Sequence, residues 1–556
     1  MKYLFLSLIS AILLSISWPT YGVAYFIFVA LVPLLMMEHH ITHFSKIKRK
    51  SLFIFWLSYL CFMIWNIITT GWLYGAKNPD GSHSMMAVLF PILTNSLLYS
   101  IVFILYHHYK KIQGTYWGLA FFIAIWLSFE KFHLDWEFSW PWLNLGNVFA
   151  DNPKIIQWYD TLGVSGGSLW ILLVNILIFY TIRTWEAGRK KANLIKNCSI
   201  VALLLIIPII ISYYKYRYFN EKSIGETSVL MLQPDLDPYT EKYQMDSLSI
   251  AKELLSLTKL PDSVKIDYYL APETAFGNSF SEKGFQNSLI INNIRNLLTQ
   301  KQAVFVGGIS SHQFFYDKNT APANAYQIQG TEVWVENFNS AVQITPNKEI
   351  QTYHKGKLVP GVEIFPYIQI LKPILGDAML NFGGTISSLG TDKTRKVFKN
   401  PYNKSVIAPI ICYESIYGEF VTEYVRNGAN FLGIMTNDSW WGRTQGHRQL
   451  LAYARLRAIE NRREVVRSAN SGISAHINAL GEIEQATLYG DQTKLYAKVK
   501  LYEGKSTYTR IGDLVYRIAI FTLGFLLFYT AFEMFKSRKK SDWIGFLVVS
   551  LWLITL

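Results

Sequence analysis

Apolar runs close to the length that crosses a bilayer constrain this chain more than any other feature. A hydrocarbon core asks for about 20 consecutive apolar residues in a helix. Seven such runs cover 3–18, 21–37, 52–73, 85–106, 116–132, 164–182 and 199–214, and an eighth covers 514–535. Because backbone polar groups cannot stay unpaired in lipid, these runs predict helices gathered into a polytopic bundle. Composition agrees, since only 17% of the 556 residues are charged and residues 1–216 carry 8 Asp/Glu and 16 Lys/Arg. With 51% apolar residues and 3 cysteines, disorder and a disulfide-stapled miniature are excluded. The charge left over after residue 216 points to a second, soluble part.

Orientation follows from the loops, because those retained in the cytoplasm carry the excess of lysine and arginine. One side gathers Lys2, then Lys46, Lys48, Arg49 and Lys50, then Lys110 and Lys111, then Arg183, Arg189, Lys190, Lys191 and Lys196; the other has isolated Lys77 and Lys154. With the N-terminus inside, seven spans deliver the soluble part outside, and the eighth returns to Lys536, Arg538, Lys539 and Lys540. Much of the net charge of +14 is therefore topological and calls for no nucleic-acid partner. The expected domains are a seven-helix transmembrane domain over 1–222, an extracytoplasmic α/β domain over 223–508 and a C-terminal helix with a short hydrophobic tail over 509–556. The first run lacks a small-residue cleavage site and reads as an uncleaved anchor. Residues 543–556 are short for a span and are expected to lie at the interface or to insert partly. Transport sites need ionisable groups or broken helices within the membrane. Glu130, Lys131, Arg517 and Glu533 lie near span ends, and His39, His40, His107 and His108 flank spans as interfacial residues.

From about 226 to 505, short apolar runs alternate with helix-period segments, an α/β signature. Expected strands are 228–232, 266–271, 303–307, 341–345, 406–411, 430–436, 465–469 and 474–478; expected helices are 247–258, 286–299, 416–427 and 447–461, and Ala479-Leu480-Gly481-Glu482 is a hairpin signal. Cys61 and Cys198 fall in or beside spans, leaving Cys412 alone in the soluble part. It ends the strand Val406-Ile407-Ala408-Pro409-Ile410-Ile411 and precedes a helix bearing Ile416, Phe420 and Tyr424, a place expected to favour the thiolate. Leu270-Ala271-Pro272-Glu273 sets a carboxylate just past another strand, and Tyr353-His354-Lys355 adds a lysine. In α/β sheets, strand ends are where sites assemble. A nucleophile needs a base and its oxyanion a donor, so Glu273 is placed to take the thiol proton and Lys355 to stabilise the tetrahedral charge. His312, His354, His447 and His476 lack ligand spacing, so no metal and no other cofactor is expected.

The Glu, Lys, Cys order with these flanks resembles the carbon–nitrogen hydrolase (nitrilase) superfamily, and with the added spans the whole chain resembles the apolipoprotein N-acyltransferase family. The likeness rests on Pro272-Glu273, Asn339-Ser340-Ala341, Tyr353-His354-Lys355, Leu358-Val359-Pro360, Ile411-Cys412-Tyr413-Glu414, Thr436-Asn437-Asp438-Ser439-Trp440-Trp441-Gly442, the 454–462 helix segment and Arg467-Ser468-Ala469-Asn470-Ser471-Gly472. Phe138-Ser139-Trp140-Pro141-Trp142-Leu143, Gln157 and Gly163 match in the membrane part. Lys357 stands where the family commonly has His, and Pro360-Gly361-Val362-Glu363 replaces Pro-Phe-Gly-Glu.

The resemblance implies an αββα sandwich beside the helical bundle, with Glu363 and Glu414 supporting the Glu273, Lys355 and Cys412 triad. It implies acyl transfer from a phospholipid, typically phosphatidylethanolamine, through a Cys412 thioester to the α-amine of a diacylglyceryl-cysteine apolipoprotein. It also implies a bacterial inner-membrane location with the catalytic domain on the periplasmic face. Trp440, Trp441, Phe365 and Tyr413, with the apolar cluster Tyr367, Ile368, Ile370, Leu371, Ile374 and Leu375, are candidates for lipid contact or for ordinary core packing. Two competing readings are a membrane-bound amidase that hands its thioester to water, and a transporter or scaffold with an inactive nitrilase-like domain.

Overall fold

The computed structural model describes residues 1–78, 81–188, 191–242, 244–367 and 388–536. The 543–556 tail and the cluster residues Ile368, Ile370, Leu371, Ile374 and Leu375 lie outside these. The chain divides into two compact units: one comprises Met1–Gly71, Val88–Tyr218 and the chain from Ile511; the other comprises Trp72–Ala87 and Phe219–Arg510.

Among the described residues, seven helical segments are long and apolar enough to cross a membrane: Ala24–Phe44, Lys50–Gly75, Met85–Gln113, Thr115–Asp135, Tyr159–Glu186, Lys191–Arg217 and Leu514–Met534. This is a multi-pass membrane protein. The first expected span is shorter than the others, because the helix Lys2–Ile16 has 15 residues. At 1.5 Å per residue it falls short of a hydrocarbon core of about 30 Å.

Buried polar groups tie the bundle together. The Ala24–Phe44 span is broken at Leu31, ahead of Pro33. Asn175 repairs that break, accepting from Leu31 N at 2.8 Å and donating to Ile27 O at 2.8 Å. Glu38 accepts from His107 Nδ1 at 2.8 Å and Lys110 Nζ at 2.5 Å. His107 is thus a buried partner of a carboxylate and not an interfacial residue, and His39 is buried too. Glu130, expected near a span end, is fully buried and accepts from Leu145 N, Tyr516 OH and Trp126 Nε1 at 2.8, 2.9 and 3.2 Å.

The second unit is a two-sheet sandwich. Its strands are β1 (Gly225–Gln233), β2 (Tyr268–Leu270), β3 (Ser279–Ser281), β4 (Val304–Phe315), β5 (Tyr326–Gln327), β6 (Trp334–Ile344), β7 (Gln351–His354), β8 (Phe398–Lys399), β9 (Val406–Ile411), β10 (Phe431–Thr436), β11 (Val465–Ala469), β12 (Ala475–Ile477), β13 (Ile483–Ala486) and β14 (Thr493–Leu501). One sheet runs β14-β1-β2-β4-β6-β5, with β3 on β4 and β7 on β6; the other runs β13-β12-β11-β10-β9-β8. β1, β2 and β4 are mutually parallel, as are β9, β10 and β11. Parallel strands covered on both faces read as continuous apolar runs, which is why 406–411 and 430–436 were legible.

Leu230, Leu232, Tyr269, Phe305 and Val342 pack against Ala251 and Leu254 of the helix Ser247–Ser256 and against Ile291, Ile294 and Leu298 of the helix Leu289–Lys301. The helices Gly418–Arg426 and Gln445–Asn461 accompany the other sheet. Between the sheets, Ser468 Oγ donates to Leu232 O at 2.8 Å and Tyr268 packs edge-on to Phe431 at 5.4 Å. The 479–482 hairpin is present, with Gly481 at φ +80° joining β12 to β13.

Trp72–Ala87, which connects two membrane helices in sequence, belongs to this α/β unit. Trp72 is buried, donates to Gln449 Oε1 at 3.2 Å and meets Trp441 edge-on at 4.9 Å. A side-chain carbon at Gly75 would lie 2.2 Å from the Trp441 carbonyl oxygen, so only glycine permits this approach.

Replacing Glu130 by Leu should take away the carboxylate to which the Leu145 N–H and the Tyr516 O–H donate, at about 1–3 kcal/mol for each stranded donor. Thermal unfolding of the detergent-solubilised protein, followed by tryptophan fluorescence, should show a lower Tm for Glu130→Leu than for Glu130→Gln.

Candidate active site

The site lies where the strand ends of the two sheets meet. Glu273 follows β2, Asn339 is on β6, Lys355 follows β7, Cys412 follows β9 and Thr436 ends β10. The turn carrying Glu273 presses on β4: Ala271 N donates to Val306 O at 2.8 Å, Gly308 N to Pro272 O at 3.0 Å and Ala275 N to Gly308 O at 2.7 Å. A side-chain carbon at Gly308 would come within 2.6 Å of the Glu273 Cα.

Lys355 is the centre of the site. Its ammonium donates to Glu273 Oε1 at 3.0 Å and to Glu363 Oε1 at 2.9 Å, with the lysine side chain 1% exposed. Asn339 Nδ2 bridges the same two carboxylates at 2.8 and 2.7 Å. Asn437 N donates to Glu273 Oε2 at 3.1 Å, and Val359 N to Glu363 Oε2 at 2.8 Å. Behind Glu273, buried Lys242 donates to its carbonyl at 3.1 Å and to Thr274 Oγ1 at 2.7 Å.

Burial alone would raise the Glu273 carboxyl, but Lys355, Asn339 and Lys242 together outweigh it and hold Glu273 below its ordinary range. Burial would lower the Lys355 ammonium, yet Glu273, Glu363 and Cys412 hold it well above its usual value. Lys242 is pushed down to about 8 by burial, against the attraction of Glu273.

Cys412 adopts φ +47°, a left-handed conformation that costs an L-residue about 1–2 kcal/mol. A 3₁₀ turn, Cys412–Ile416, separates it from the helix Gly418–Arg426. The expected activation by a helix N-terminus is not what the site provides. Burial pushes the thiol well up, the Glu273 carboxylate pushes the same way, and Lys355 and the Thr436 hydroxyl offset this in part.

Two comparisons bear on this arrangement. The family model for carbon–nitrogen hydrolases matches residues 232–507, and that for the apolipoprotein N-acyltransferase N-terminal domain matches residues 10–177. Along nearly the whole length, the chain is 29% identical to the apolipoprotein N-acyltransferase of Chlorobaculum tepidum, covering 95% of this chain and 97% of that one. It is 26% identical to that of Geobacter metallireducens, over 91% of each, and 24% identical to that of Haemophilus influenzae, over 88% and 87%. The chain belongs to the apolipoprotein N-acyltransferase family.

Within this family member, Glu414 is fully buried and accepts four hydrogen bonds: from Tyr353 OH and Gly356 N at 2.6 Å each, from Ile411 N at 2.8 Å and from Tyr424 OH at 3.1 Å. Burial pushes its carboxyl up against those bonds. It thereby staples the residue after Lys355 to the residue before Cys412. Tyr413 is buried against Tyr417 at 5.3 Å. Lys357, the departure from the family pattern, lies over the Tyr417 ring at 4.9 Å. Phe365, Trp440 and Trp441 are half-buried. The Trp440 carbonyl accepts from Tyr239 OH at 3.1 Å, and Trp441 packs on Trp72.

Asn339, Thr436 and Lys242 touch the triad although sequence reasoning gave them no part in it. Asn339 shares its strand with Glu336, Asn337, Ser340 and Gln343 and does not stand out, whereas Thr436 is a polar residue ending an otherwise apolar strand, which is a usable signal. Lys242 has none, because its burial depends on a loop. Among the described residues, no group of three or more His, Cys, Asp or Glu is gathered to hold a metal ion.

Glu414→Gln should turn an amide N–H₂ toward groups that are themselves donors, costing about 1–3 kcal/mol. A lowered Tm relative to wild type, with a larger drop for Glu414→Ala, is the expected outcome.

Proposed function

We propose that this protein N-acylates bacterial lipoproteins by a two-step transfer through Cys412. The observation that carries the reading is the buried Glu273–Lys355 ion pair at 3.0 Å, gathered with buried Cys412 where the strand ends meet. The acyl donor is a membrane phospholipid, with phosphatidylethanolamine the expected species. Cys412 Sγ attacks the ester carbonyl as Glu273 takes the thiol proton, and Lys355 with its ammonium faces the developing oxyanion. The C–O bond breaks, Glu273 returns the proton to the leaving alcohol, and a lysophospholipid departs from the thioester.

In the second step, the free α-amine of a diacylglyceryl-cysteine lipoprotein attacks the thioester carbonyl. The C–N bond forms, the C–S bond breaks, and the amine's proton passes through Glu273 back to sulfur. Glu363 and Asn339 fix Lys355 and Glu273, while Glu414 holds the Cys412 turn. Trp440, Trp441, Phe365 and Tyr413 form the lipid-contacting side of the site, supported by their nearness in sequence to Asn437, Glu363 and Cys412. Both substrates are lipid-anchored, and drawing an acyl chain from a bilayer costs about 0.8 kcal/mol per CH₂. A catalytic unit in a multi-pass chain avoids that extraction. The concentration of lysine and arginine at one set of helix ends supports placement in the bacterial inner membrane, with the α/β unit on the periplasmic face.

Intact mass of the purified protein after incubation with phosphatidylethanolamine vesicles should show an acyl adduct on wild type and none on Cys412→Ala. Addition of a diacylated lipopeptide with a free amine should discharge it. Discharge to water with the peptide untouched would replace this reading by a lipid-dependent hydrolase.

The pH dependence has a definite sign. Because Lys355, Asn339 and Lys242 keep Glu273 ionised below the ordinary carboxylate range against the effect of burial, adduct formation should persist as pH falls through about 4.3, the unperturbed glutamate value. Asn339→Ala removes one bond favouring the anion and should move that acid limb upward by about one unit.

A further inference from the structure

The hydroxyl of Thr436 stands between two acceptors, 3.4 Å from Cys412 Sγ and 2.9 Å from Asp438 Oδ1. A threonine hydroxyl has one proton and serves one acceptor at a time. Asp438 does not depend on it, because Arg467 Nη2 donates to both carboxylate oxygens, at 2.8 and 2.9 Å, and both side chains are fully buried. Arg467 is fixed in turn by its Nη1 donating to Ile473 O at 2.7 Å. Gly472 gives the pair its room, since a side-chain carbon there would lie 1.9 Å from Asp438 Oδ2.

Resting on the acyl-transfer reading above, we propose that Thr436 is a catalytic hydroxyl whose hydrogen bond switches from Asp438 to the Cys412 sulfur when that sulfur becomes anionic. The Asp438–Arg467 pair serves as the positioning base of the switch. While sulfur keeps its proton, the carboxylate is the stronger acceptor and takes the threonine O–H. When the S–H proton passes to Glu273, negative charge grows on Sγ and the O–H turns about the Cβ–Oγ bond to face it. No proton leaves threonine, and Asp438 keeps both bonds from Arg467.

Once sulfur is acylated it is a poor acceptor, and the hydroxyl returns to Asp438. In the second step the C–S bond breaks, and the same turn stabilises the departing sulfur. Sulfur is thus assisted both as attacking and as leaving group. The charged groups that act on it are Glu273, Lys355 and Asp438, and none of these changes its own protonation through the switch except Glu273.

The test is alkylation of Cys412 by iodoacetamide, a small neutral probe, as a function of pH, read by intact mass on the full-length protein in detergent. Cys412→Ala subtracts labelling at Cys61 and Cys198. Thr436→Val keeps the shape and removes the proton; its alkylation midpoint should rise by about one unit or more, roughly a tenfold loss of thiolate at fixed pH. Thr436→Ser restores the hydroxyl and should titrate with wild type. Thr436→Ala provides the same comparison if the valine variant is not recovered folded, as judged by Tm.

A hydroxyl-free variant with the wild-type midpoint would overturn the switch, as would a serine variant that behaves like valine, or a wild-type Cys412 that never alkylates. A Thr436-dependent midpoint in a protein that takes no acyl mass from phosphatidylethanolamine vesicles would support the switch and overturn the acyl-transfer reading.

Discussion

One ammonium holds two carboxylates together inside this protein, and the architecture of the α/β unit can be traced outward from that contact. Glu273 and Glu363 would repel each other in a buried site, and an unpaired buried charge costs about 3–5 kcal/mol. Lys355, 2.9 and 3.0 Å from them, removes that penalty only if three separate stretches of chain arrive at one point. β2 and β7 must end on the same side, and the loop after Lys355 must fold back so that Val359 N reaches Glu363. Asn339 on β6 then closes the arrangement with a single N–H₂ group donating to both acids.

The electrostatics of acid and thiol are pulled apart in opposite directions. Lys355 helps hold the Glu273 carboxyl low, whereas burial and that same carboxylate push the Cys412 thiol up. On the proposed mechanism, proton transfer and attack are therefore driven by the arrival of a carbonyl carbon and not by a standing thiolate. A thiol pushed up in this way reacts more slowly with indiscriminate electrophiles and oxidants, which act on thiolates. The left-handed backbone at Cys412 is maintained by neighbours that cannot easily yield, with Glu414 gripping Ile411 N and Ser415 Oγ donating to the Cys412 carbonyl at 2.7 Å.

Much of this was legible in the chain before any geometry. Val406–Ile411 and Val465–Ala469 are strands at the residues expected; in the first, an apolar, β-branched run has few alternatives. The ends of the runs 266–271 and 406–411 pointed to Glu273 and Cys412, and Tyr353-His354-Lys355 to the lysine, and the fold brings these to one strand-end region. What could not be read were features set by tertiary approach. β13 and β14 alternate polar and apolar residues on exposed edges, a weak pattern that charged side chains obscure. The burial of Glu38, Glu130 and His107 depends on neighbouring helices, so proximity to a span end said nothing about solvent. The direction of the Cys412 shift was likewise misread. A strand-to-helix junction suggests a helix dipole, but the intervening 3₁₀ turn and the nearby carboxylate are invisible until the chain is folded.

The placement of Trp72–Ala87 in the α/β unit carries a consequence for how the protein is made. Trp72 is covered by Trp441, Gly446 and Gln449, partners encoded some 370 residues later. At about 5–20 residues per second of synthesis, Trp72 waits on the order of tens of seconds before they leave the ribosome. During that interval a large aromatic ring stays uncovered on a short connector between two membrane helices. A quality-control factor that reads exposed aromatic surface therefore has a clear signal of incomplete assembly, extinguished only when the last third of the α/β unit has been delivered to the same side of the membrane as that connector.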